Sequence, residues 1–300
     1  MNIGSTFMQG PIVVGTDFSQ LSWSVVDYAA ELALEESKSL HLIYAMPILP
    51  DDSFALLQIQ KQELENQVNA AEKKLRGSGL KIESAFVMGA AAHQLIQLAD
   101  ELNAACIVVG TQGLSGMARL LLGSVAEAVI RKSDRPVIVV GPQAAAMAKK
   151  NIPWKHLMLA CDTAAGVTEA ARLAGNIASG HQARLTIFTV REEGIQYPSE
   201  DQFEAIEKMM GREAWLTVKP QCLIRYGEPA KEIIRMVEDT QADLLVMSVH
   251  RSGELLTHLR SGIMAKILRM SRCPAMVLRD IQAPHPTQVG HHANHKSAPA

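Results

Sequence analysis

Short apolar runs alternate with longer amphipathic stretches along almost the whole chain. Residues 11–15 (PIVVG) and 106–109 are apolar throughout and too short for a helix, and with the mostly apolar 40–45 and 82–87 they predict four strands. Residues 19–36 carry Val25, Val26, Ala29, Leu32 and Ala33 at helical spacing. A long polar helix then runs to about Arg76, with Gly77 expected to close it as the residue after the C-cap. Another helix is expected over about 91–102. The fourth strand leads to Gly110 and a loop with Gly113 and Gly116, followed by Gly123-Ser124. From Ser124, the expected N-cap, a helix with apolar Val125, Val129 and Ile130 runs to about Arg131. Asp134-Arg135-Pro136 ends it, and residues 137–140 predict a fifth strand. Strands at helix-length separations predict a mostly parallel sheet covered on both faces, an α/β fold.

The pattern then repeats. Residues 155–162 (KHLMLACD) echo the segment ending at Asp17, residues 185–190 echo 40–45, and residues 244–248 echo the fourth strand. From Gly89 to Val140 the second copy follows at a constant offset of 138, with Arg131 matching Arg269 and Pro136 matching Pro274. Between Asp17 and Asp162 the offset is 145, so the second copy is seven residues shorter, between its second and third strands. A period of this length is a duplicated domain. The expected division is 1–142, a linker over 143–154, a second domain over 155–280, and a tail over 281–300. The tail is rich in Pro, Ala and His and is expected to be disordered; His291, His292 and His295 are candidates for adventitious metal.

Three hundred residues with 48% apolar content suffice for two cores, and a formal net charge of −2 gives no footprint for DNA or RNA. Cys106, Cys161, Cys222 and Cys273 form no Cys-x-x-Cys pair, so buried thiols are expected rather than a disulfide framework. The N-terminal MNIGSTFMQG lacks a basic segment and a long apolar stretch, and no run approaches a membrane span of about 20 residues. A cytoplasmic protein without membrane partners is the expectation. No P-loop, no Gly-x-Gly-x-x-Gly after the first strand, no Gly-x-Ser-x-Gly elbow and no His-Glu-x-x-His occurs.

The candidate chemistry lies in the glycine loop. Glycines let the backbone approach phosphates, and the start of a helix offers N–H groups to an anion. Gly110-x-x-Gly113, nine residues, then Gly123-Ser124 resembles the nucleotide-binding signature of the universal stress protein family. The resemblance covers about residues 10–280 as a tandem pair. It implies two repeated open five-stranded, mostly parallel sheets with helices on both faces, the adenine-nucleotide α-hydrolase-like architecture, with ATP at the strand ends. It also implies that the two domains pair through their last strands, 136–140 and 274–278, with a homodimer as a further assembly.

By that resemblance Asp17, at the end of the first strand, lies near the nucleotide, where its carboxylate either bonds to adenosine or helps hold a Mg²⁺ ion beside the phosphates. The alternative for Asp17 is an N-cap of the next helix. Ala45 stands where the main chain meets adenine. Gly110, Gly113 and Gly123 permit close approach, while Ser124 and the Val125 N–H hold phosphate oxygens. Family loops often read Gly-Ser-His-Gly-Arg, whereas Gln112 and Leu114 stand here. In the second copy Ser248, Arg251, Ser261 and Gly262 replace Gly110, Gly113, Gly123 and Ser124, while Asp162 remains. One competent ATP site, in the N-terminal half, is expected. The functional expectation is a nucleotide-dependent stress-response regulator. A slow ATPase or nucleotide-cleaving enzyme and a partner-binding scaffold are the alternatives, and no catalytic base or nucleophile stands out.

Overall fold

The computed structural model describes residues 9–46, 54–111, 122–147, 152–161, 169–192, 217–250 and 262–280. The first half runs β1 (Ile12–Gly15), α1 (Gln20–Glu35), β2 (Leu40–Met46), α2 (Phe54–Arg76), β3 (Ile82–Met88), α3 (Ala91–Glu101), β4 (Cys106–Gly110), α4 (Ser124–Lys132) and β5 (Val137–Val140). After α5 (Pro142–Met147) the second half runs β6 (His156–Ala160), α6 (Glu169–His181), β7 (Arg184–Arg191), β8 (Gln221–Tyr226), α7 (Pro229–Thr240), β9 (Leu244–His250), α8 (Ile263–Met270) and β10 (Ala275–Asp280).

The ten strands form one sheet in the order β3-β2-β1-β4-β5-β10-β9-β6-β7-β8. Every neighbouring pair is parallel except β5 and β10, which run antiparallel with Ile138 opposite Met276. Alternation along the strands sends side chains to two cores. Ile12, Val14, Leu40 and Leu42 pack with Val25, Ala29 and Leu32 of α1, and the same cluster continues to Leu157, Leu185 and the small residues of α6. Val13, Ile107 and Val109 face the opposite way, toward α3 and α4, in a cluster that reaches Leu245, Met276's neighbour Val277 and α8. Each fully buried Val, Leu or Ile contributes about 1.5–3 kcal/mol relative to an exposed one. That is why near-continuous apolar runs, rather than alternating ones, mark these strands.

Two expectations change. Gly77 is not the left-handed terminator of α2: its N–H still bonds to Lys73 O at 3.3 Å, and the left-handed residue is Gly79, with φ +85. The expected linker begins as a helix, since α5 buries Ala144 and rests on α1. All four cysteines are free, with Cys106 and Cys273 buried; burial pushes both thiols up to about 12. Among the described residues no helix is long and apolar enough to cross a membrane. The tail and its three histidines lie outside the described residues.

Candidate functional site

In the first half β1 sits between β2 and β4, so the connections leaving β1 and β4 turn to opposite sides of the sheet and leave a crevice at their carboxyl ends. Asp17 lies two residues beyond β1. Its N–H donates to Ser22 Oγ (3.0 Å), and its Oδ1 accepts the N–H of Ser19 (3.1 Å). Thr16 Oγ1 and Ser22 Oγ are 2.6 Å apart, and Thr16 Oγ1 also accepts the Phe18 N–H at 3.1 Å. The turn is therefore tied by side-chain oxygens, with Phe18 held at φ +60 and stacked on Tyr44 at 4.9 Å. Burial, with the Asp17 carboxylate nearby, pushes the Tyr44 hydroxyl up. The cap of α1 is Ser19, whose Oγ accepts the Ser22 N–H at 3.2 Å, so the capping role considered for Asp17 falls to its neighbour.

Ala45 lies in β2 opposite Val87 of β3, half-buried one residue before the strand ends. Gly110 ends β4 opposite Val140. The next residue, Thr111, donates its N–H to Val140 O (3.3 Å) and accepts the Gly123 N–H on its carbonyl (2.8 Å). That second bond pins the start of α4 to the end of β4. The N-cap is Gly123, in extended backbone at φ −62 and ψ 144, and Ser124 is the first helical residue. This corrects the expected Ser124 cap. The expected apolar face shifts as well: Val125 is 38% exposed, and Ala126 takes the buried position with Val129 and Ile130.

The first intrahelical bond runs from Glu127 N–H to Gly123 O at 2.9 Å, which leaves the N–H groups of Ser124, Val125 and Ala126 outside the helix ladder. Those donors and the helix dipole favour an anion. Glu127 in the same turn opposes one, and Arg131 at 3.6 Å offsets its charge. One further feature fits a ligand: Thr111 is fully buried, and among the described residues its Oγ1 has no hydrogen-bond partner. An orphaned buried hydroxyl costs about 1–3 kcal/mol and is rare without a purpose. The glycine pattern does not mark Thr111; in the repeat its counterpart is Val249, which has no hydroxyl.

Six of the seven expected site residues thus gather at the strand ends and the start of α4. Gly113, with Gln112 and Leu114, lies outside the described residues. Among the described residues no group of three or more His, Cys, Asp or Glu side chains could hold a metal ion. A cleft of about 360 Å³ opens elsewhere, between α1 and α2, lined by Trp23, Val26 and Ala71 with Asp27 and Gln67, and shares no residue with the crevice.

In the second half Ser248 lies within β9, opposite Leu278. Gly262 is the N-cap of α8 in the left-handed region, at φ +88. Lys266 Nζ meets Glu228 Oε1 at 2.8 Å, joining the starts of α8 and α7. Asp162, Arg251 and Ser261 lie outside the described residues.

Similarity to known proteins follows the same division. The model of the universal stress protein family matches twice, over residues 8–141 and 153–279. A universal stress protein of Mycolicibacterium smegmatis is 24% identical over 290 residues, covering 89% of this chain and 96% of the relative. One from Methanocaldococcus jannaschii is 32% identical over 136 residues, covering 43% of this chain and 80% of the relative. The crystal structure of a universal stress protein from Archaeoglobus fulgidus superposes with a TM-score of 0.73 at 20% identity, covering 90% of this chain and 98% of the other. Shorter universal stress proteins solved with dAMP and with cAMP each cover 44% of this chain, at 25% and 33% identity and TM-scores of 0.34 and 0.33. The chain belongs to the universal stress protein family.

Proposed function

We propose that this protein is a nucleotide-dependent stress-response regulator with one competent ATP site, in its N-terminal half. The observation that supports the reading is that Asp17, Ala45, Gly110, Gly123, Ser124 and Val125 lie at the ends of β1, β2 and β4 and the start of α4, with the buried Thr111 hydroxyl one residue past Gly110. Family membership supports adenine nucleotides as the ligand class, because the family includes proteins solved with dAMP and with cAMP. Asp17 and the main chain of Ala45 would face the nucleoside. The N–H groups opening α4, with the Ser124 hydroxyl and Gly113, would hold phosphate oxygens. Any Mg²⁺ would arrive with the phosphates and take at most one protein carboxylate, Asp17. The second half acts as an internal partner, so one chain stands in for a dimer, and the protein works in the cytoplasm.

Gly123→Asp tests this reading cleanly. Aspartate is at least as good an N-cap as glycine, and φ −62 suits any residue, so the fold should keep its stability. The added carboxylate and bulk stand where phosphates would approach. Calorimetry of the stripped protein with ATP and Mg²⁺ should show about one site per chain, weakened more than about tenfold in the variant. No binding by the parent protein would overturn the ATP reading and leave a partner scaffold. Steady release of ADP or AMP would make it an enzyme rather than a switch.

A further inference from the structure

The repeat identifies which residues lie on the pseudo-twofold axis between the halves. Where β5 meets β10, Ile138 faces Met276, and these are the same position in the two copies. The flanking pairs, Val139 with Ala275 and Val137 with Val277, are images of one another. Glu36 and His181 are also the same position, separated like Asp17 and Asp162, and they meet across the seam. Glu36 Oε1 lies 2.7 Å from His181 Nε2, an ion-pair approach whose angles fall outside hydrogen-bond geometry. In a pair of identical halves every axis position would meet itself. Here the axis carries an acid against an imidazole.

Away from the axis the two sides of the seam are filled in opposite ways. Arg279 donates to Arg131 O at 3.0 Å and pairs with Asp134. Its image in the first half is Gly141, and the images of Arg131 and Asp134 are Arg269 and Arg272. A Cβ on Gly141 would lie 2.4 Å from Leu268 O and 3.3 Å from Arg269 O, so that side admits no side chain at all. Trp154, fully buried, places Nε1 3.4 Å from the buried Tyr28 hydroxyl, whereas the images of these two residues are Gln9 and Leu173.

We propose that the seam is a heterospecific interface: each half fits the other kind of half and rejects its own kind. Two first halves would set Glu36 against Glu36 and leave Asp134 facing a glycine. Two second halves would bring Arg279 against Arg272 and Trp154 against a leucine that offers its indole N–H no acceptor. Like charges and an unpaired buried N–H penalise the wrong pairings, while the mixed pair sets opposite charges together and gives the indole N–H its acceptor. Duplication into one chain has thus been followed by divergence at the join. A first half therefore seats on a second half and not on another first half. This inference is independent of what the crevice binds.

The test uses the full-length chain and amide hydrogen exchange. His181→Glu recreates the acid-on-acid axis of a self-pair, and β5 and β10 amides should exchange about tenfold faster, while β1 and β6 keep their rates. Glu36→His with His181→Glu exchanges the two sides of the axis and should return the rates to within about threefold of the parent. Asp134→Arg should loosen the seam in the same way. Adding Arg279→Asp should recover part of the loss, since the bond to the Arg131 carbonyl is not rebuilt. Unchanged exchange in both single variants, or double variants no closer to the parent than the singles, would overturn the proposal. If His181→Glu loosens β1 and β6 as well, the exposed Arg279 pair decides alone.

Discussion

The two halves agree in strand order and disagree where the strands end. In the first, β4 ends at Gly110 with Thr111 following, α4 enters through an extended glycine, and the N-cap of α3 is Ala90. In the second, Ser248-Val249 occupies the same place, α8 enters through a left-handed glycine, and the N-cap of α7 is Glu228, tied to Lys266. The image of Lys266 is Ala128. Both halves of the sheet survive because each buried strand residue answers to a core on one face or the other, and a polar replacement there is costly. Crevice residues have no such duty. Once one copy supplies the site, the other can drift in its loops while its fold remains intact.

Opposite the crevice, at the amino ends of the strands, the difference runs the other way and predicts the largest effect. His156 is buried, with Nε2 2.9 Å from Thr186 Oγ1 and Nδ1 3.2 Å from Thr240 O, while its own N–H is held by Asp243. Its image in the first half is Pro11. Burial holds the His156 imidazole below the ordinary value of 6.5. The unfolded chain then takes up the proton more readily than the folded one, so the stabilising contribution is complete above 6.5 and is lost as pH falls through the folded value. His41 in the first half is also lowered by burial, but it is only partly buried where His156 is almost wholly so. Between pH 7.5 and about 5, the amides of β6 and β7 should therefore lose protection before those of β1 and β2. Simultaneous loss, or first loss in β1 and β2, would show that His156 is not what limits acid stability.

Most of the architecture was legible, because a two-sided parallel sheet writes its strands as solid apolar runs and a duplicated chain writes them twice. What escaped was geometry that depends on one residue's φ or on a distant neighbour. Ser124 has the right chemistry for a cap, yet the bond from Gly123 N–H to Thr111 O fixes the glycine in that role. Gly77 and Gly79 are equally suitable terminators by sequence, and only the carbonyl that each N–H reaches tells them apart. Helical spacing also assigned Val125 inward, although α4 is pinned so that Ala126 faces the core. The seam was half-readable. The offset already matched Glu36 with His181, but only the antiparallel join of β5 and β10 shows that such equivalents touch.

A middle-sized effect comes from Thr111→Val, which copies the second half's Val249 into the first. The replacement is nearly isosteric and removes a buried hydroxyl oxygen with no partner among the described residues, so the ligand-free protein should gain about 1 kcal/mol in a urea titration. If that hydroxyl serves the crevice, ATP affinity should fall about fivefold in the same variant. The opposite signs matter, since a merely damaged fold would lose both. A gain in stability with unchanged affinity would move Thr111 out of the site and leave its burial without a functional account.

The smallest effect is the most telling about the second crevice. Lys266 and Glu228 are each about half exposed, so their 2.8 Å contact is screened by water, and Lys266→Ala should cost no more than about 0.5 kcal/mol. The bridge nonetheless joins two helix starts that in the first half carry Ala90 and Ala128 in its place. If it alone closes the crevice, cutting it should raise the ATP stoichiometry from one toward two per chain. We expect it to stay at one. Ser248 would still add a side chain where Gly110 has none, α8 would still enter through a left-handed turn rather than the extended approach of Gly123, and Glu228 would still place a carboxylate at the start of α7. A site assembled from several backbone positions is not recovered by removing one obstacle, and a second bound nucleotide in Lys266→Ala would mean that the later copy was masked rather than lost.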